Sequence, residues 1–541
     1  MQALVSETPA ITAPAREGAA PAWEPLRQPG FRAVWSALLG SQMVNWMHTV
    51  GAVTVIASLS GSATLIALVQ TAVSLPAVFL ALVAGAAADI VDRRRLVLSV
   101  QTWMISAVAV LAALTLAGVV TPAVVLALTF ALGAGMATTI LAFQAMTGDV
   151  IDRSELGPAV ALNSVAINLA RAAGPAVAGV LVAALGAGGL FAIEAGLLLV
   201  IMGVIFRLRL PARRRAIAED LTSAMRSGMR YVRYSRSLRA VLARAALYSI
   251  CASALWALLP VVAFGRLDLG SRGFGLLLGC VGGGALAGAF VMPRVRARVP
   301  LDVIVAVGTV VVAGGLLVLT FVGSAVVIAL ALVPMGSAWL AVLSSLNTSA
   351  QRVAADWVRA RALASFQLVF QGGLALGSLT WGIVAGTSGV RTALAIAAGG
   401  LLVGIVAGLR WPLAAAERPD ASPAEGWHEH ELEVEPAPDD GPVLVMLEYD
   451  VLDERAGEFV AAMVELGRAR RRGGAYSWHL YEDPDHPGRY VETFRIRSWR
   501  EHLLQSDRLT VADVEVQRLA QSFHVGDGPP RARHLLSAVG R

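Results

Sequence analysis

Long apolar stretches alternate with short polar segments between residues 33 and 411 of this chain. A helix needs about 20 apolar residues to cross a bilayer, and each of these stretches is that long. The pattern predicts an all-α membrane region whose two ends lie on the same side. The predicted spans are 33–57, 64–88, 97–118, 123–147, 158–184, 189–208, 243–264, 273–292, 303–322, 325–346, 361–385 and 391–411, twelve in all.

The arginines divide the predicted loops into two groups. Loops on one side carry Arg93 to Arg95, Arg153, Arg207 to Arg239, Arg294 to Arg298 and Arg352 to Arg361, whereas those on the other carry only Arg266, Arg272 and Arg391. Cytoplasmic loops are typically rich in basic residues. We therefore expect a multi-pass protein of the inner or plasma membrane with both termini in the cytoplasm.

Composition supports a membrane protein, since 56% of the 541 residues are apolar and only 15% are charged. The basic residues crowd the predicted cytoplasmic loops, so we expect no nucleic-acid partner. Cys251 and Cys280 lie in apolar stretches, which argues against a disulfide framework or thiolate metal site. His428 and His430 have no further ligands nearby. We expect no metal and no cofactor.

The regions that flank the spans have different patterns. A basic connection between the sixth and seventh spans carries Leu221, Met225, Met229 and Val232 at helical spacing, which predicts an amphipathic helix on the inner leaflet. The C-terminal pattern of strand, helix, two strands, helix and strand predicts a ferredoxin-like α+β domain. The predicted organisation is a disordered tail (1–30), a six-helix bundle (31–208), a cytoplasmic linker (209–240), a second six-helix bundle (241–411), an acidic proline-rich linker (412–441) and the α+β domain (442–541).

An internal repeat relates the two predicted bundles. Gly174 and Gly179 in the fifth span recur 203 residues later as Gly377 and Gly382, and Gly85 recurs as Gly288. The spacing indicates duplicated six-helix halves related by an axis along the membrane normal.

The residues Gly85, Asp89 and Arg93 to Arg95 resemble the loop signature between the second and third helices of the major facilitator superfamily. Gly174-Pro175 with Gly179 resembles the fifth-helix signature of its antiporters. The second half departs from the loop signature, because Met292 stands where Asp89 stands in the first half. The resemblance implies gating roles for Gly85, Asp89, Asp92, Arg93, Arg94, Gly174 and Pro175.

Two longer stretches, Asn163 to Gly179 and Phe366 to Gly382, look more like the branch of enterobactin exporters and transmembrane secretion effectors than the drug-proton antiporters. The fourth span lacks the membrane arginine that many drug antiporters use in proton coupling, and Gln144 is its nearest polar residue. The C-terminal region resembles the tails of related exporters, which are similar in fold to small antibiotic-biosynthesis monooxygenases.

Three ionisable side chains lie within predicted spans, where they are costly and hence candidates for function: His48, Arg171 and Glu194. Arg171 shares a helical face with Ser164 and Asn168. Its guanidinium suits carboxylate or catecholate oxygens. Glu194 is the candidate proton acceptor, with His48 as the alternative. The predicted substrate-binding set is Arg171, Asn168, Ser164, Asn45, Gln144, Gln367 and Gln371.

Simpler interpretations exist for these residues. Each amide could bond a neighbouring helix, and Arg171 could neutralise Glu194 or cap a carbonyl. For Arg171 we favour substrate binding.

The leading hypothesis is a proton-driven exporter of a small amphiphilic molecule, such as a siderophore, drug or secondary metabolite. An importer of the same fold is the alternative. Membrane lipid is an expected partner. The chain as a whole is not expected to be an enzyme.

The C-terminal domain has two candidate roles. It could be a cofactor-free oxygenase using His479, His502, His524 and His534 with Trp478 and Trp499. We favour a regulatory module or one that forms a homodimer, because no nucleophile, metal or phosphate motif is present.

Overall fold

The computed structural model describes residues 23–90, 93–152, 155–208, 221–410, 413, 436–526 and 528–538. Among these residues, the regular elements before Val443 are helices, and strands and further helices follow. The helices are α1 (Pro29–Leu59), α2 (Ala63–Ile90), α3 (Arg93–Leu116), α4 (Pro122–Val150), α5 (Leu156–Arg207), α6 (Leu221–Tyr234), α7 (Arg236–Val261), α8 (Gly270–Arg296), α9 (Leu301–Phe321), α10 (Ala325–Val353), α11 (Arg359–Ser388) and α12 (Val390–Arg410).

Within the described residues, ten helices are long and apolar enough to cross a membrane. One of them, α5, breaks at Gly186, where a φ of 74° and a ψ of 171° leave the helical region, so its 52 residues form two spans. Helix α1 falls outside the ten because Gln42, Asn45 and His48 lower its hydropathy, yet its 31 residues pack with the others. The predicted fold of twelve transmembrane helices in two bundles is confirmed.

The two halves contact each other through two equivalent pairs of helices. Helix α5 of the first half packs against α8 of the second, and α11 of the second half packs against α2 of the first. A shift of 203 residues superposes α2 on α8 and α5 on α11 in sequence. The sequence repeat is thus also a repeat of packing.

These two interfaces differ in chemistry. Across α5 and α8, a Cβ at Gly275 or Gly282 would overlap the α5 backbone at Pro175 or Ala172, so the helices touch through glycine. Across α2 and α11, the hydroxyl of Thr64 donates to the Gly382 carbonyl at 2.9 Å and that of Thr71 to the Ala375 carbonyl at 3.2 Å.

Two boundaries differ from the predictions. The predicted spans 64–88 and 97–118 leave residues 89–96 as a loop, but α2 continues to Ile90 and α3 begins at Arg93. Helical hydrogen bonding continues past the apolar stretch because alanines 86–88 favour helix. The predicted tail is also shorter, since a 3₁₀ turn forms at Glu24–Arg27 and Phe31 of α1 is buried against Ile151.

The remaining residues of the predicted tail, 1–22, lie outside the described part of the chain, as do residues 209–220 and 414–435 of the two linkers.

The C-terminal domain is a four-stranded antiparallel sheet packed on helices, with the strand order β2-β3-β1-β4. Along β1 buried and half-buried residues alternate, because one face of the sheet meets the core. Its elements are β1 (Val443–Asp450), α13 (Ala456–Gly473), β2 (Ser477–Glu482), β3 (Arg489–Ile496), α14 (Trp499–Asp507), α15 (Val511–Gln521) and β4 (Arg531–Leu536).

A buried ion pair lies inside this domain. Arg470 Nε on α13 is 3.3 Å from Glu492 Oε1 on β3, and both side chains are almost fully buried. Trp478 Nε1 donates to the same carboxylate at 2.9 Å, and the Tyr449 hydroxyl donates to its other oxygen at 3.2 Å. These hydrogen bonds offset the cost of burying the charges.

The linker helix α6 packs between the membrane region and the C-terminal domain. The Tyr231 hydroxyl donates to the Val353 carbonyl at 3.0 Å and accepts from the Ala355 amide at 3.2 Å. On the domain side, Arg471 lies over the Tyr234 ring, with 5.7 Å between the guanidinium carbon and the ring centroid. The predicted amphipathic helix is present, but one face meets protein rather than only the leaflet.

Candidate functional site

The first half places one arginine deep in the membrane region, on α5. Arg171 is half-buried, and its guanidinium carbon lies 5.5 Å from the ring centroid of Trp46 on α1. Its Nη1 donates to Asn168 Oδ1 at 3.4 Å, and Asn168 Nδ2 donates to the Ser164 carbonyl at 2.8 Å. In the part of the chain that the structure describes, Arg171 forms no ion pair and its buried Nε has no hydrogen-bond acceptor.

A cavity of about 820 Å³ separates the two halves, and Arg171 lies at its deep end. It extends towards the ends of α4 and α10, where the chain carries Asp149 and Gln351. We call this end of the bundle the arginine-rich end, because α3 begins there with Arg94 and Arg95 and α8 ends there with Arg296. The cavity is lined by polar side chains of both halves: Gln144, Asn163, Ser164, Asn168, Arg171, Arg296, Ser344, Asn347, Thr348 and Gln351.

The polar residues of α10 were missed in the sequence analysis. Ser344, Asn347, Thr348 and Gln351 recur at helical spacing within an apolar helix, and Asn347 is 203 residues after Gln144. The repeat offset, applied to the fourth span, predicts only Asn347 among them. Asn347 and Gln144 both line the cavity.

The structure separates the predicted substrate-binding set into two groups. Arg171, Asn168, Ser164 and Gln144 line the cavity. Asn45 on α1 and the α11 residues Gln367 and Gln371 are not among the residues that line it. Helix α11 lies between α2 and α7, so its position differs from that of α10, which borders the cavity directly.

His48 and Glu194 come together in the core of the first half. His48 Nδ1 on α1 is 3.1 Å from Glu194 Oε2 on α5, and His48 Nε2 is 3.1 Å from the hydroxyl of Thr129 on α4. All three residues are buried, and Glu194 Oε1 has no partner among the described residues. Glu194 therefore pairs with His48, not with Arg171. A carboxyl and an imidazole in contact can hold one proton or two, which is what a proton-coupling site requires.

The predicted gating residues are only partly covered by the structure. Gly174 packs against Trp46, where a Cβ would lie 2.8 Å from the Trp46 Cβ, so the glycine permits the close approach of α1 and α5. Arg94 donates to the Phe206 carbonyl and lies over the Phe206 ring, which joins α3 to the end of α5. Asp92 lies outside the described residues.

Three other members of the gating set have a described backbone only. Gly85 and Asp89 belong to α2 and Arg93 begins α3, but the surroundings of these residues lie outside the described part. Pro175 is buried within α5, beside Gly275 of α8.

Two six-helix halves around a polar cavity that extends to one end of the bundle define a membrane transporter of the major facilitator type. The chain belongs to the transmembrane secretion effector family, whose model matches residues 20–541.

Solved structures show the same fold. The nucleoside transporter NupG is 15% identical with a TM-score of 0.53, and the comparison covers 71% of this chain and 98% of that one. The human organic anion transporter MFSD10 (TETRAN) is 17% identical with a TM-score of 0.52, over 70% of this chain and 99% of that one. A bacterial homologue of the lysosomal transporter Spinster, in an inward-facing and unoccupied conformation, is 12% identical with a TM-score of 0.55, over 72% and 96%. A search of the curated proteins finds no significant match.

Proposed function

We propose that the protein exports a small amphiphilic anion, driven by the proton gradient. The observation that carries this proposal is the position of Arg171, which has no acidic partner in the described residues and lies at the deep end of the cavity. A guanidinium is always charged and offers five donors, so it favours carboxylate or catecholate oxygens. Ile167, Leu340 and Leu343 line the same cavity and offer apolar surface for the rest of an amphiphile.

The orientation of the cavity supports the proposed direction of transport. Basic residues favour the cytoplasmic side, so the arginine-rich end faces the cytoplasm and the cavity takes up its substrate there. Arg294→Cys at this end and Ser324→Cys at the other, both exposed, test the orientation once Cys251 and Cys280 are replaced. An impermeant thiol reagent should label the first only in everted vesicles and the second only in intact cells. The reverse pattern would refute the assignment.

Proton coupling is assigned to Glu194 and His48. The pair lies outside the cavity, so its protonation acts through α1, α4 and α5 rather than by contact with the substrate. This arrangement supports an antiporter in which proton uptake shifts the helices around Arg171.

The experiment begins with the metabolites that cells secrete. Mass spectrometry of a deletion strain identifies which anionic compound disappears from the medium, and that compound is then assayed in everted vesicles. Arg171→Ala should abolish its uptake, whereas Arg171→Lys should retain part of it, since the charge remains but the planar fork is lost. Arg294→Ala is the matched control, because Arg294 is exposed and, within the described residues, donates only to the carbonyl of Phe290 in its own helix at 3.2 Å.

Unchanged uptake by Arg171→Ala would refute the substrate site. Uptake by right-side-out vesicles but not by everted ones would favour the importer.

For the C-terminal domain we propose a regulatory role. Its α13 packs on α6, and Arg508 lies over the ring of Trp357, just before α11, at 4.9 Å. These contacts connect the domain to the second half of the transporter. Arg508→Ala with Trp357→Ala should therefore change the export rate without changing substrate affinity, and an unchanged rate would count against this role.

The oxygenase alternative is less well supported, because its six residues do not converge. His502, His534 and Trp499 form one cluster, with His502 and His534 ring centroids 4.8 Å apart. His479 instead stacks on Tyr481, and His524 accepts a hydrogen bond from the Asp450 amide. Oxygen uptake by the purified protein with phenolic substrates would support this alternative.

The C-terminal domain could also form a homodimer, which mass photometry of the purified protein tests.

A further inference from the structure

A second cavity, of about 200 Å³, lies inside the second half between α7, α9 and α12. It does not share a lining residue with the large cavity between the halves. Most of its lining is apolar, including the buried side chains of Val305 and Leu401. Exposed apolar residues flank it on both sides, Val307 on α9 and Val403 on α12, so it borders the surface that faces lipid.

One polar group inside this cavity has no partner. Tyr248 on α7 is only 5% exposed and lines the cavity, and its hydroxyl makes no hydrogen bond to the described residues. An unsatisfied buried hydroxyl is unfavourable, so a ligand with an acceptor oxygen would be stabilised there.

The mouth of the cavity is charged. Arg244 and Asp302 form an ion pair at the arginine-rich end of α7 and α9, and both line the cavity. Arg244 precedes Tyr248 by one helical turn, so the guanidinium lies about 6 Å nearer the membrane surface along the helix axis. A guanidinium has five N–H donors, so it can hold a carboxylate and a phosphate oxygen at the same time.

We propose that this cavity binds one glycerophospholipid from the leaflet at the arginine-rich end of the bundle. Its phosphate lies at Arg244, an ester carbonyl one glycerol unit deeper accepts from the Tyr248 hydroxyl, and an acyl chain occupies the space beside Val305 and Leu401. The order of groups from mouth to interior, charged, hydrogen-bonding and apolar, is the order found along a phospholipid. A fatty acid has no second polar group at the depth of Tyr248.

Two glycines of α12 keep the space open. A Cβ at Gly404 would lie 3.2 Å from the Leu247 side chain, and one at Gly408 would lie 3.2 Å from the Arg244 guanidinium. A larger side chain at Gly404 would therefore fill the cavity from the α12 side.

Lipid bound at this site would affect the large cavity between the halves through α10. The Tyr248 ring packs on Trp339 of α10 with centroids 5.7 Å apart, and the next residue, Leu340, lines the large cavity. The proposal does not depend on the identity of the exported compound.

Photo-crosslinking of the full-length protein in nanodiscs tests the proposal. The probe is a phosphatidylcholine with a diazirine in one acyl chain, and a diazirine fatty acid serves for comparison. Labelled peptides are mapped by mass spectrometry, and labelling at the buried Val305 and Leu401 is divided by labelling at the exposed Val307 and Val403. In wild type the phospholipid should give a higher ratio than the fatty acid.

Gly404→Leu should reduce the phospholipid ratio to the level of the fatty acid. Gly399→Leu is the matched control, since a Cβ there meets open space on the same helix, and it should leave the ratio unchanged. Tyr248→Phe keeps the shape and removes the hydroxyl, so the ratio should fall about threefold to tenfold, the effect of one neutral hydrogen bond.

Equal ratios in wild type, Gly404→Leu and Tyr248→Phe would overturn the proposal. The proposal would also be overturned if the fatty acid gave the same labelling ratio as the phospholipid in wild type. If Gly404→Leu does not fold, Tyr248→Phe decides the question alone.

Discussion

The carboxylate of Glu194 contacts the imidazole of His48 at 3.1 Å, although 146 residues separate them in the chain. The contact joins α1 to the second limb of α5, and the Phe191 ring packs on His48 with centroids 5.4 Å apart. A change of charge on either group therefore acts on both helices that also carry Trp46 and Arg171.

Glu194→Gln should leave equilibrium binding of the substrate intact and remove the dependence of export on the proton gradient. A glutamine amide can keep the hydrogen bond to His48, but unlike a carboxyl group it cannot gain or lose a proton near neutral pH. The measurement is export by everted vesicles with and without an imposed pH gradient. Glu155→Gln is the control, because Glu155 precedes α5 and bonds Gln28 instead.

Persistent dependence on the gradient in Glu194→Gln would contradict the assignment. Recovery of export in the double variant Arg171→Ala with Glu194→Gln would show instead that Arg171 is not needed to bind the substrate.

Gly282→Val should open the contact between α5 and α8. The new side chain would overlap Ala172, and overpacking of this kind destabilises a contact by about 1–3 kcal/mol. The present conformation, open towards the arginine-rich end, should become less populated by about fivefold or more. Labelling of Ser344→Cys in the cavity, without the two native cysteines, measures this population.

The control for this prediction is Gly283→Val, because a Cβ at Gly283 meets nothing within 4 Å. Equal labelling of Ser344→Cys in both backgrounds would show that the glycine contact does not set the conformation.

Arg470→Ala should destabilise the C-terminal domain by about 3–5 kcal/mol, because it leaves the buried Glu492 carboxylate without its cation. Hydrogen exchange of β1 and β3 in the full-length protein measures the effect. Arg468→Ala removes an exposed pair with Glu465 in the same helix and should change stability by less than about 0.5 kcal/mol. Similar exchange in both variants would exclude a structural role for the buried pair.

Acid should destabilise the domain through His502. Burial, with His534 and Arg470 nearby, lowers the pKa of His502 to about 4 from an ordinary value of 6.5. Below pH 6.5 the His502 imidazole is protonated in the unfolded chain but stays neutral in the folded domain. The free energy of unfolding therefore falls as the pH drops from 6.5 towards 4, by about 2–3 kcal/mol in total.

His502→Leu should flatten that pH profile, measured by hydrogen exchange of α14, whereas His479→Leu at an exposed position should not. A profile that His502→Leu leaves unchanged would assign the acid sensitivity to other groups.

The sequence predicted the helices well because apolar length is a direct physical signal. It also predicted the three ionisable residues of the spans, since charge in lipid is rare. It could not predict which of them meet, because the contact between His48 and Glu194 depends on how α1 packs against a limb of α5 that begins after Gly186. Short polar side chains such as Thr129 gave no signal, since threonine is ordinary in a membrane helix.

The α10 face was missed for a different reason. The 203-residue offset relates only Asn347 of this face to a polar residue of the fourth span, Gln144. The α10 polar face has no charge and is distinguished only by its spacing. The docking of Tyr231 of α6 on Val353 and Ala355 was also beyond prediction, since amphipathic spacing identifies an apolar face but not what covers it.

The two most extensive contacts between the halves differ in their interactions. Hydroxyl-to-carbonyl bonds from Thr64 and Thr71 join α2 to α11, whereas Gly275 and Gly282 of α8 pack closely against the α5 backbone. We expect the glycine side to part first and the threonine side to act as the hinge. Although the two halves repeat the same helix packing, the transport movement would then be asymmetric, and the substrate would leave beside α8.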